Sequence, residues 1–147
     1  MSEPSDLYEY VHTQENEPRY NMPYTPAIKV TGGRIVYLAG VTAAPVYHTH
    51  PHIPEEFDDI PLDPEAQASM CMENLRIVME AAGGELTDII ELTRYMVDQA
   101  SNQDGVNRAM ARALGDHRPA STSVEVVRLA TDPRLILELK AVAVVPE

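Results

Sequence analysis

The chain has 147 residues, 44% of them hydrophobic, which suits one domain with its own core and is too short for two comfortable ones. Its 11 Lys and Arg stand against 23 Asp and Glu, and the net charge of −12 argues against a partner made of phosphate, whether nucleic acid or an anionic membrane surface. A single cysteine excludes an internal disulfide, no apolar run approaches the roughly 20 residues that span a bilayer, and the first thirty residues lack a signal peptide's basic and apolar regions, so a soluble cytoplasmic protein is expected.

Residues 1–22 mix acids, prolines and tyrosines without periodicity and are expected to form an irregular arm, ahead of a single α+β domain over residues 23–147. The stretch "AIKVTGGRIVYLAG" reads as two short strands about Gly32 and Gly33, the composition of a tight hairpin. From Val41 to Asp63 prolines and charges exclude a regular element, leaving a loop of a length that usually has a function. A helix then begins with Asp63 as N-cap and Pro64 in the first position. Its apolar residues Ala68, Met72, Leu75, Met79 and Ala82 recur at three- and four-residue spacing, and Gly83-Gly84 ends it.

"TDIIELTRYMVD" is rich in β-formers, and "NQDGVNRAMARALG" is a second amphipathic helix ending at Gly115. "STSVEVVRL" and "RLILELKAVAVV" read as two strands joined through "ATDP" in hairpin fashion. This order predicts a mostly antiparallel sheet with two helices on one face. Leu135, Leu137, Leu139, Ala141 and Ala143 alternate onto the face beneath the helices. Ile136, Glu138, Lys140, Val142 and Val144 occupy the other face, a mixed surface that an oligomer would bury. With no Trp and one Phe the core is aliphatic, and Met70, Met72, Met79 and Met96 read as packing residues, as does the lone Cys71.

Several strings in this order resemble the YjgF/Rid family of reactive-intermediate deaminases: "PYTPAI", "GGRIVYLAG", "AQASMCMENLRIVMEAAGG", "DIIELTRYMVD", "VNRAM", "PASTSVEV" and "LELKAVA", spread from about Pro23 to Val145. The resemblance implies a chorismate-mutase-like α+β fold, a homotrimer with clefts between subunits, and hydrolysis of imines or enamines without metal or organic cofactor. It also implies site roles for Tyr24, Asn107 and Glu138, and for backbone groups near Gly40 and Val41. The deaminating members open the corresponding strand with "P-A-R-S-C", where the Arg clamps a substrate carboxylate. Here Ser121 stands at the Arg and Ser123 at the Cys, so the resemblance implies a wider pocket, neutral at that point and lined by hydroxyls.

These residues define the expected chemistry: a small-molecule hydrolase or deaminase, other than a standard 2-imino-acid deaminase, in which Glu138 positions or deprotonates water while Tyr24 and Asn107 bind polar groups. The alternative is a non-catalytic trimer that binds a small ligand or protein partner. For Glu138 the structural alternative is an ion pair with Lys140 or Arg128, and for Tyr24, Asn107 and Ser121 it is ordinary packing or backbone hydrogen bonding. His48, His50 and His52 alternate, so an extended loop would project them to one side at roughly 7 Å intervals. His-x-His spacing can hold zinc, with Glu55 or Glu56 as a further ligand. The role adopted for this loop, and for His50 within it, is to shape or close the cleft, with no metal site assigned.

Overall fold

A computed structural model describes residues 6–15 and 17–147, so the first five residues of the expected arm lie outside the described residues. In chain order its elements are strands β1 (Tyr8–Val11), β2 (Ala27–Val30) and β3 (Arg34–Tyr37), helix α1 (Pro64–Ala81), strand β4 (Ile89–Val97), helix α2 (Gln99–Leu114), and strands β5 (Ala120–Val126) and β6 (Leu137–Val145). Asp63 caps α1 as expected, its carboxylate accepting the Ala66 N–H at 2.9 Å. Helix α2 starts at Gln99, one turn before its sequence pattern. The reason is non-local: Glu125 on β5 accepts the Gln99 N–H at 2.9 Å, and Asn102 donates to the Val97 carbonyl at 2.7 Å.

The main sheet runs β3-β6-β4-β5, with β6 antiparallel to both its neighbours and β5 parallel to β4. Two expected hairpins are therefore absent. Strand β5 does not pair with β6, because β4 lies between them and α2 carries the chain across in a parallel crossover. Nor do β2 and β3 pair. Strand β2 pairs with β1, from Tyr8 opposite Val30 to Val11 opposite Ala27, whereas β3 joins β6. The Gly32-Gly33 turn explains the split: the Leu7 carbonyl accepts N–H bonds from Thr31 and Gly32 at 2.8 and 3.2 Å, so the turn is tied to the N-terminal segment. Gly33 sits at φ +78° against the Val145 backbone, which leaves no room for a Cβ. The arm expected to be irregular thus contains a strand.

Both helices cover one face of the sheet, where Leu92 and Met96 of β4 and Leu137, Leu139, Ala141 and Ala143 of β6 are buried with Cys71, Met72, Leu75 and Met79 of α1. The long loop builds a second, smaller core. Ala43, Ala44, Phe57 and Ile60 pack there with Leu129 and Leu135, against Met70, Tyr95, Val97 and Val126. Leu135 therefore lies under the loop, outside the helix-facing row, because β6 and its alternation begin only at Leu137. Gln67 joins the two cores. Its fully buried side chain donates to the carbonyls of Pro61 and Arg134 at 2.9 and 3.0 Å and accepts the Ile136 N–H at 2.6 Å. The far face of the sheet stays open at Tyr37, Ile35 and Val124, which are 77%, 43% and 40% exposed.

His117, which no motif singled out, fastens β1 to this body. The Ile89 carbonyl at 2.6 Å can only accept, so Nε2 carries the proton and Nδ1 accepts from the Tyr10 hydroxyl at 2.7 Å. Tyr8 alongside donates to the Thr87 carbonyl at 2.6 Å. Burial holds His117 below its ordinary pKa of 6.5, keeping the folded imidazole neutral. The unfolded chain then takes up the proton more readily, and the stability present above that value is lost as pH falls toward the folded pKa. His117→Phe should cost about 1–3 kcal/mol at pH 7 by leaving buried partners unpaired. Its urea midpoint should then fall less than the wild type's as the solution is acidified. Equal slopes would show that another group carries the acid sensitivity.

Candidate active-site cleft

One cleft of about 560 Å³ opens between α2, the edge strand β5 and the segment around Tyr24, and it collects four of the sequence-predicted residues: Tyr24, Asn107, Ser121 and Ser123. Register explains the two serines. Ser121 lies opposite Leu92 and Ser123 opposite Arg94, so both share the helix-side face of β4. Tyr24 is brought in by Arg118, whose guanidinium holds the Met22 carbonyl at 3.2 Å and the Gly115 carbonyl at 2.6 Å, while the Thr25 N–H bonds the Pro119 carbonyl at 3.3 Å.

The wall of the cleft carries Arg94, which the sequence reading passed over. Its Nε donates to Ser123 Oγ at 2.9 Å and its Nη1 to Asn107 Oδ1 at 2.7 Å, with Met110 Sδ at 3.5 Å. Burial lowers its pKa, yet a guanidinium stays charged in a protein. Among the described residues no carboxylate pairs with it and its Nη2 has no hydrogen-bond partner. The pocket expected to be neutral beside Ser121 therefore holds an unneutralised cation. Ser123 Oγ and Asn107 Oδ1 serve as its acceptors, which leaves the Asn107 amide group as a donor. A signal was available in the sequence: Leu92, Arg94 and Met96 alternate, so Arg94 shares a face with two core residues.

The remaining predicted residues lie elsewhere. Glu138 sits on β6 opposite Tyr95, on the face away from the helices, and its carboxylate fills the space where a Cβ of Gly40 would be. Burial raises its pKa. No ion pair joins it to Lys140 or Arg128 among the described residues. The Lys140 ammonium bonds the Leu38 carbonyl at 2.6 Å. Val41 uses both backbone groups on Leu139, at 2.9 and 2.8 Å, so of this pair Gly40 alone is without a ladder partner. His50 lies on the long loop beside His48 and His52 and is outside the cleft lining. Cys71 is buried on α1, its thiol pKa pushed up by burial, and bonds the Val41 carbonyl at 3.3 Å.

These features define a small α+β protein with a cleft sized for a metabolite and a cation in its wall. A family model described as Endoribonuclease L-PSP matches residues 14–145. A RutC family protein from Pyrococcus horikoshii is 32% identical over 129 residues, covering 88% of this chain and 92% of that one. A 2-iminobutanoate/2-iminopropanoate deaminase from Escherichia coli K12 is 31% identical over 113 residues, 74% of this chain and 86% of that one. A crystal structure of a conserved Rid-family protein of unknown function from Yersinia pestis superposes with a TM-score of 0.74 at 22% identity, covering 95% of this chain and 99% of that one. The chain belongs to the YjgF/Rid family and has its chorismate-mutase-like α+β fold.

The raised pKa of Glu138 has a consequence for stability. The folded protein holds this proton more tightly than the unfolded chain, so stability falls as pH rises from the ordinary carboxylate value of 4.5 through the folded one. Glu138→Gln should thus be more stable than wild type at pH 7, the gain vanishing in acid below both values. Denaturant midpoints at the two pH values check it.

Proposed function

We propose that this protein hydrolyses small imines or enamines that carry an anionic group, as a homotrimer of the cytoplasm with its sites at subunit interfaces and without an organic cofactor. The observation that supports it is Arg94: a half-buried guanidinium with free donors, facing a cleft of metabolite size. It offers from β4 the charge that the family resemblance places at the position of Ser121. A guanidinium in a partly desolvated wall is suited to a carboxylate. The net charge of −12 opposes the polyanionic substrate that the family model's description names. The open sheet face, with Tyr37, Ile35 and Val124 exposed, supports an oligomer.

In the proposed reaction an enamine first tautomerises to the imine, its terminal carbon gaining a proton as its nitrogen loses one. Water then adds across C=N, oxygen to carbon and a proton to nitrogen. The carbinolamine passes its hydroxyl proton to nitrogen as it collapses to a carbonyl compound and ammonia. Glu138 takes the proton from water and returns it to the departing nitrogen, a task for which a raised carboxylate pKa is suited. Arg94 and the Asn107 amide hold the anionic group, and Tyr24 donates its hydroxyl to the substrate. Ser121 and Ser123 keep that wall small, Gly40 gives Glu138 room, Val41 packs behind it and the His50 loop rims the interface. Cleft and carboxylate lie on opposite faces of one chain's sheet. The proposed site therefore pairs the cleft of one subunit with Glu138 of the next.

Ammonia release from freshly generated 2-aminoacrylate tests this. Arg94→Gln should raise KM by roughly 10- to 100-fold, the worth of a charged hydrogen-bonded contact. Glu138→Gln should lower kcat by about 10²- to 10⁴-fold. An inactive wild type, or variants as active as it, would end the proposal. Mixed trimers of Arg94→Gln and Glu138→Gln subunits should regain activity, because some interfaces then carry neither lesion. Mixtures no better than the parents would place the site within one chain.

A further inference from the structure

The long loop gathers His48, His50 and His52 into one cluster. Their ring centroids lie 4.7, 4.9 and 5.1 Å apart, a nearly equilateral triangle, and one ring nitrogen from each falls within 4.8 Å of the others. His50 and His52 are exposed and His48 half-exposed, so an ion from solvent can reach them. From the geometry we propose that these three imidazoles form a site for a zinc-class divalent ion, outside the metabolite cleft.

Three further observations support it. The Pro45 carbonyl at 2.8 Å can only accept, so His48 Nδ1 carries the proton and Nε2 keeps its lone pair. A carbonyl that accepts the second ring N–H in this way is a usual outer-shell partner of a zinc-binding histidine. The loop is also held in shape. Glu56 accepts both the N–H and the hydroxyl of Thr49, at 2.9 and 3.0 Å, between the first two histidines. Arg134 pins the far side through Asp58 and the Pro54 carbonyl at 2.9 and 2.8 Å. Finally, His48 and His52 stand edge-on to the buried ring of Phe57, which seats the cluster on the second core.

A tetrahedral ion about 2.1 Å from each nitrogen needs them roughly 3.4 Å apart, a closure that exposed rings reach by side-chain rotation. Of the two carboxylates considered as a further ligand, Glu56 is committed to Thr49 and Glu55 is not among the clustered groups. The fourth position is thus left to water or an incoming donor, the arrangement of an open three-histidine centre.

The test uses the full chain without a polyhistidine tag, stripped with a chelator and titrated calorimetrically with Zn²⁺ alone and, in parallel, with Co²⁺ followed by visible absorption. One ion per chain should bind at micromolar concentration or tighter, with the intense visible bands of four-coordinate Co²⁺. His50→Gln and His52→Gln, checked for folding by circular dichroism, should each weaken binding by at least about tenfold. His12→Gln, remote in sequence and exposed, should leave it unchanged. No saturable binding at millimolar zinc, or histidine variants that bind as well as wild type, would overturn the site.

Discussion

A guanidinium cannot be discharged, and a strand that carries one on its core-facing side must find it acceptors or give it an opening. Arg94 imposes that condition on β4. Leu92 and Met96, two residues away on either side, are sealed beneath the helices, so the strand cannot turn over to release the charge. The neighbouring elements answer it with neutral groups: Asn107 from α2 and Ser123 from β5 each supply one oxygen. Neither cancels the charge. The cleft follows from this arrangement, since larger apolar residues at 121 and 123 would close the space and strand the cation in a low-dielectric interior.

The second face of the sheet has the opposite character. Glu138 and Lys140 sit there among Val142, Tyr95 and the exposed ring of Tyr37. The Lys140 ammonium is held by the Leu38 and Ala141 carbonyls, which leave its charge in place, and Glu138 forms no ion pair among the described residues. Among the described residues, one chain thus keeps a guanidinium without an ion-pair partner on one side of its sheet and a carboxylate without one on the other. The proposed two-subunit site rests on this separation of the two groups across the sheet.

Much of the fold was legible, because its signals are local. The Asp63-Pro64 start of α1, its apolar spacing and the alternation from Leu137 to Ala143 each depend on residues within a few positions of one another. What misled was pairing. A double glycine between two β-rich runs reads as a hairpin, yet the turn is tied to Leu7, and "ATDP" reads as another although β4 intervenes. Strand partners are chosen by burial across the whole sheet, and no short string records that. For the site, the family strings marked Tyr24, Asn107, Ser121 and Ser123, which the cleft brings together. Arg94 was not legible from those strings, because they mark the position of the family cation at Ser121, whereas Arg94 lies on the adjacent strand, 27 positions earlier in the chain.

His117 and Arg118 are neighbours, and they hold different parts of the same N-terminal stretch. The imidazole takes Tyr10, and the guanidinium takes the carbonyl of Met22, two residues before Tyr24. Strand β1 and the mouth of the cleft are therefore clasped from one point on the short connection after α2. The amino-terminal stretch is thus held by two adjacent residues, one beside β1 and the other beside the wall that Tyr24 gives the cleft.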